Sequence, residues 1–173
     1  FCGLGLSFAA DGFGVILAVL TGAIWLITTI FSKEYMAAER NRNRYYFFVF
    51  LTLGATMGIF LSADLFTTFI FFEIMSFTSF VLVMHDEEDF TVRSAKTYLA
   101  VAVIGGLVTL MGLFMMYQKA GTLNMAELTA FMQSRENPAE FYAIGVLILF
   151  GFAAKAGLFP LHIWLPNAYT VAP

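Results

Sequence analysis

Five stretches of this chain are almost free of charge. Gly12 to Ser32, Tyr45 to Ala63 and Thr97 to Gln118 carry none, while Leu65 to Met84 and Phe141 to Phe159 carry one charged residue each. Each is close to the ~20 residues an α-helix needs to cross ~30 Å of hydrocarbon. Strict apolar/polar alternation is absent, and the runs are about twice the length of a barrel strand, so the backbone must satisfy its own hydrogen bonds as helices. The chain therefore reads as an all-α integral membrane protein with five transmembrane helices. Composition agrees: 60% of the 173 residues are apolar and 12% are charged, with a mean hydropathy of +0.82, which excludes an ordinary soluble domain.

The same composition narrows function. The nine Lys and Arg residues form no dense basic stripe, and the formal charge is -3, so nucleic acid is not an expected partner. With Cys2 as the one cysteine and only two histidines, there is no ligand set for a structural zinc, haem or iron-sulfur cluster. No cofactor is expected in this stretch, and electron transfer would belong to partner subunits. The first run has no basic leader and is followed by four more, so it reads as a span and not as a signal peptide.

Orientation follows from the basic residues. Lys33, Arg40, Arg42 and Arg44 lie between the first two spans and Arg93 between the third and fourth, against Lys119 and Arg135 in the remaining long connection. The rule that basic loops stay inside predicts an outside N-terminus and an inside C-terminus; the acidic run Asp86 to Asp89 does not overturn it. In the outer connection, Asn124 with Glu127 forms an N-cap and N3 pair between Leu123 and Leu128, predicting a short amphipathic helix over about Met125 to Gln133 along the membrane surface. Asn137, Pro138 and Glu140 mark the start of the fifth span in the same way.

Two ionisable residues lie inside the spans. Glu73 sits in Phe-Ile-Phe-Phe-Glu-Ile-Met-Ser-Phe, where an ionised side chain costs about 2.5 to 3.5 kcal/mol on insertion scales. It reads either as a neutral glutamate hydrogen-bonded to a neighbour such as Ser76, or as a proton or cation relay whose protonation is governed by its surroundings. Lys155 stands in Gly-Phe-Ala-Ala-Lys-Ala-Gly-Leu-Phe-Pro, with small neighbours that admit a second backbone and with Pro160 breaking the helix just beyond. A lysine near a span end ordinarily snorkels to the interface. Here the chain stays uncharged after the break apart from His162, which puts Lys155 in a discontinuous helix of the kind that lines ion paths. Lys96 is either a further basic anchor or a partner leaning towards Glu73. Asp64 reads as a helix-starting residue. His162 is either a loop histidine or, by its ordinary titration range, part of a proton relay.

Ser62-Ala63-Asp64-Leu65, Phe72-Glu73-Ile74-Met75-Ser76 and Lys155-Ala156-Gly157-Leu158-Phe159-Pro160-Leu161-His162-Ile163-Trp164-Leu165-Pro166-Asn167-Ala168 together resemble the proton-conducting antiporter-like membrane subunits of respiratory NADH:quinone oxidoreductase, shared with multisubunit sodium/proton antiporters and membrane-bound hydrogenases. The opening Gly5-Leu6-Ser7-Phe8-Ala9-Ala10-Asp11-Gly12 resembles the stretch before the family's third helix. The resemblance implies that residues 1–173 correspond to helices three to seven of a much longer chain, most of one of two inverted repeats. It makes Glu73 the fifth-helix glutamate and Lys155 the lysine of the broken seventh helix, the input side of a proton half-channel. It further implies a subunit of a multisubunit complex in a bacterial or archaeal cytoplasmic membrane, moving protons or Na⁺, with other membrane subunits and the lipid bilayer as partners. A family lysine on the sixth helix falls at or beyond Thr97, beside Lys96. The rival reading is a subunit that only packs against its neighbours, with Glu73 and Lys155 as a structural pair.

Overall fold

The computed structural model describes residues 5–134 and 139–173. The helices are α1 (Gly12–Tyr35), α2 (Arg42–Phe60), α3 (Leu65–Val83), α4 (Asp89–Ala120), α5 (Met125–Gln133), α6 (Ala139–Ala156) and α7 (Trp164–Val171), with a 3-10 turn at Leu161–Ile163 leading into α7. Cys2, Arg135, Asn137 and Pro138 lie outside the described residues, so the expected cap of the fifth span does too.

Short polar side chains start several of these helices by taking up backbone N–H groups that lack an intrahelical acceptor. The Asp11 carboxylate accepts from Gly14 N at 3.0 Å to open α1. Asp64, buried, accepts from both the backbone N (2.7 Å) and the hydroxyl (2.6 Å) of Thr67 to open α3. Asn124 accepts from Ala126 N and Glu127 N at the start of α5, while Leu123 and Leu128 are both buried in the neighbouring apolar cluster. Gly121, at φ 74°, ends α4 in the left-handed conformation that glycine adopts without penalty, and its N–H closes on Tyr117 O at 2.8 Å.

Among the described residues, four segments are long and apolar enough to cross a membrane: Gly12–Tyr35, Leu65–Val83, Asp89–Ala120 and Ala139–Val171. The expected second span is a helix, α2, but it begins at Arg42 and takes Asn43 and Arg44 into its first turn, which lowers its apolar character. Runs and helices also differ at α4. The uncharged run starts at Thr97, whereas the helix starts at Asp89 and has 32 residues, about 48 Å at ~1.5 Å per residue. Glu88 and Asp89 at its start complement the positive end of the helix dipole and allow this early beginning.

The long helices alternate in direction between two ends of a bundle. At one end two isolated antiparallel bridges, Phe8 with Ser62 and Asp64 with Asn124, tie the segment before α1 to the α2–α3 turn and that turn to the loop before α5. At the other end Arg44 pairs with the Glu87 carboxylate and donates to His85 O at 2.5 Å, joining α2 to the α3–α4 loop. In between, α4 packs on α6, α2 on α3 and α3 on α4. Small residues allow the closest of these approaches: a Cβ on Gly151 of α6 would collide with the Thr109 hydroxyl and Gly105 O of α4. Helix α1 is different, since it packs chiefly on α2 and leaves Phe13, Ile16, Val19, Ile27 and Phe31 exposed.

Candidate functional site

Three polar residues of α3, Glu73, Ser76 and Ser79, recur at three-residue intervals and so share one helix face. That face turns towards α4 and the end of α6. Ser76 is buried and donates back to Phe72 O at 2.9 Å, so it does not hold Glu73. Glu73 Oε1 is buried and has no hydrogen-bond partner. Its carboxylate lies against Gly106 of α4, where a Cβ would stand 2.5 Å from Oε1.

Lys155 occupies the last turn of α6, where a cation suits the negative end of the helix dipole. Its ammonium does not snorkel outwards. Nζ donates to Ser79 Oγ at 3.2 Å and lies 4.3 Å from the centre of the Tyr98 ring, within the range of a cation–π contact. Tyr98, on α4, is only 2% exposed. Its hydroxyl is 2.7 Å from Ser79 Oγ and 3.2 Å from Ser76 O, and Ser79 can also donate to Met75 O at 2.6 Å. Two proton arrangements fit these oxygens. In one, Lys155 donates to Ser79, Ser79 to Tyr98 and Tyr98 to Ser76 O; in the other, Lys155 and Tyr98 both donate to Ser79, which donates to Met75 O.

Just past Lys155 the helix ends. Gly157 takes φ 69°, Leu158 N reaches back to Ala153 O at 3.0 Å, and the chain resumes through the 3-10 turn into α7. Trp164, the first residue of α7, donates from Nε1 to Ala154 O at 2.9 Å, a carbonyl in the last turn of α6 that also accepts from Gly157 N at 3.3 Å. Its ring also packs on Tyr98 with centroids 4.9 Å apart. The break is thus built into the same cluster that holds the lysine.

The other residues singled out in the sequence stand apart. No ion pair joins Glu73 to Lys155 or to Lys96; among the described residues the two that form are Arg44 with Glu87 and Lys119 with Glu140. Lys96 is exposed on α4. His162 is exposed in the 3-10 turn, its ring tilted against Phe159 at 5.6 Å. Reasoning from the sequence missed Ser79, Tyr98 and Gly106. The spacing of Glu73, Ser76 and Ser79 was the available signal for the first; nothing local distinguishes Tyr98 from the other tyrosines.

Long apolar helices, one of them interrupted, with the ionisable side chains of Glu73 and Lys155 half-buried among them, define a helical membrane protein. The chain belongs to the NADH:quinone oxidoreductase/Mrp antiporter transmembrane family, whose model matches residues 62–173. It is 32% identical over 169 residues to a Na(+)/H(+) antiporter subunit of Alkalihalophilus pseudofirmus, covering 98% of this chain and 34% of that protein. A Na(+)/H(+) antiporter subunit of Bacillus subtilis matches at the same identity and coverage. The fold superposes with a TM-score of 0.87 and 28% identity on a chain of the membrane-bound sulfane sulfur reductase, an archaeal respiratory membrane complex, covering 98% of this chain and 34% of that one. A chain of the Mrp complex from Dietzia sp. gives a TM-score of 0.64 at 30% identity, covering 72% of this chain and 24% of that one. The present chain therefore spans about a third of the length of the curated relatives it matches.

Proposed function

We propose that this chain supplies one half of a cation path, with H⁺ as the ion, in an antiporter-like subunit of a multisubunit membrane complex. The observation that carries the reading is Glu73 Oε1, buried at mid-helix on α3 without a hydrogen-bond partner. A carboxyl kept only for packing is expected to be satisfied. Lys155, on the helix that breaks at Gly157, is the second member. With Glu73 ionised and close, its charge helps the ammonium keep its proton; with Glu73 neutral or turned away, Lys155 releases the proton onward. Lys96 and His162 are assigned the flanks of the path, one on α4 and one past the break.

In this reading α2 is a fifth span, since it runs between the same two ends of the bundle as α1 and α3 and has 19 residues. α5 lies along the outer surface, the N-terminal end faces outside, and the end of α7 faces inside. Relatives that are named as antiporter subunits, or that come from an Mrp complex, support cation translocation and membrane partners.

The test is Glu73→Gln in the whole protein, assembled with its partners in membrane vesicles. Gln keeps shape and hydrogen bonding but cannot ionise. Cation-coupled ΔpH formation, normalised to complex content, is expected to fall to near background while assembly is retained, with Glu73→Asp milder. Transport at the unmodified level in the Gln variant defeats the relay role.

A further inference from the structure

Lys155 and Glu73 sit on facing helices, yet the ammonium is engaged elsewhere. Its hydrogen bond goes to Ser79 Oγ at 3.2 Å, and its charge lies over the Tyr98 ring at 4.3 Å. Meanwhile Glu73 Oε1, in the same interior, makes no hydrogen bond at all. An ammonium and a carboxylate, both half-buried on helices that touch, would ordinarily be drawn together, because attraction strengthens as water is removed. Something must hold the lysine in its place.

We propose that Ser79 and Tyr98 form a holding site for the Lys155 ammonium, positioning residues that keep the lysine off Glu73 until the carboxylate draws it across. The proposal rests on the reading of Glu73 and Lys155 as one relay and adds a second station for the lysine. Tyr98 suits the role because it is fixed from three sides. Its hydroxyl meets Ser79 Oγ and Ser76 O, its ring packs on Trp164, and it is 2% exposed. A ring so constrained presents its negative face to a cation without further ordering. Ser79 is equally placed: one lone pair is available to the ammonium, while its proton has alternative acceptors in Met75 O and Tyr98 Oη.

The holding site is also joined to the helix break. Trp164, beyond the break, packs on Tyr98 and bonds to Ala154 O, one residue before Lys155. Any shift of α7 relative to α6 therefore reaches both the ring under the ammonium and the backbone that carries the lysine.

A carbodiimide that adds to protonated carboxyl groups in apolar surroundings reads the state of Glu73 without relying on transport. The experiment uses dicyclohexylcarbodiimide on the whole protein in native membranes, with labelling at Glu73 followed by mass spectrometry. Glu73 in the unmodified protein, lacking the ammonium as partner, is expected to react. Ser79→Ala frees the lysine to pair with the carboxylate and should lower labelling severalfold, Tyr98→Phe should lower it less, and Ser79→Thr, which restores the hydroxyl, should return it to the unmodified level. Adding Lys155→Ala to Ser79→Ala removes the competing ammonium and should recover labelling. An unreactive Glu73 in the unmodified protein, or unchanged labelling in Ser79→Ala, overturns the holding site. That result is separate from the relay itself, which stands or falls on transport by Glu73→Gln.

Discussion

Gly106 and Glu73 fit together because Gly106 has no side chain: a Cβ there would come within 2.5 Å of Oε1, 2.8 Å of Cδ and 3.0 Å of Oε2. The glycine makes room on α4 for a carboxyl that α3 carries into the bundle. Gly106→Ala should push the carboxylate, the far end of a flexible side chain, out of its place, and that displacement should cancel most of the about 0.5 to 1 kcal/mol by which alanine is favoured over glycine within a helix. Gly145→Ala on α6 is the control, since nothing lies within 4 Å of its added Cβ, and it should stabilise the helix by about 0.5 to 1 kcal/mol. Thermal unfolding in detergent micelles compares the two. Equal stability of both variants would show that the carboxylate moves aside freely.

Lys155→Arg tests whether the lysine must give up its proton. Arginine keeps the positive charge but holds its proton at any accessible pH. The variant should assemble and fail to transport. Lys155→Ala should lose about as much transport alone as in combination with Glu73→Gln, because members of one relay are non-additive. Normal transport by the Arg variant would reduce Lys155 to a fixed counter-charge and favour the packing reading.

Orientation has its own measurement. Asn41, Asp86 and Ser134 are all exposed. After Cys2→Ser, single cysteines at Asn41 and Asp86 should react in intact cells only with membrane-permeant thiol reagents, and one at Ser134 with impermeant reagents as well. Labelling of position 41 from outside would invert every assigned helix, since one choice of side fixes them all.

The link between α2 and the α3–α4 loop predicts a pH dependence. Arg44, through its hydrogen bond and then its charge, holds the Glu87 carboxyl below its ordinary value of 4.5. A depressed carboxyl contributes stability that is present above its ordinary value and is lost as pH falls through the depressed one. Glu87 is exposed, so the effect is small and weakened by salt. Unfolding temperature should decline more steeply on the acid side in the unmodified protein than in Glu87→Gln. Parallel curves would show that the pair adds nothing to stability.

What could be read along the chain was whatever depends on near neighbours. Uncharged length marks α1, α3, α4 and α6, because a helix in hydrocarbon must be apolar along its whole course. Asp64 and Asn124 mark helix starts because a cap bonds two or three residues ahead. Gly157 and Pro160 mark the break because glycine admits positive φ and proline lacks a donor. Glu73 and Lys155 are conspicuous because charge within such runs is costly. The partners of these two residues were decided only in three dimensions. Lys155 meets Ser79 across 76 positions of chain, and Tyr98 joins them from α4 by the rotation of that helix about its own axis. The unpartnered Glu73 Oε1, the early start of α4 and the sparse packing of α1 belong to the same class. Helix rotation and contact arise from how side chains of separate helices interlock, and no periodicity within one helix encodes which face its neighbour will present.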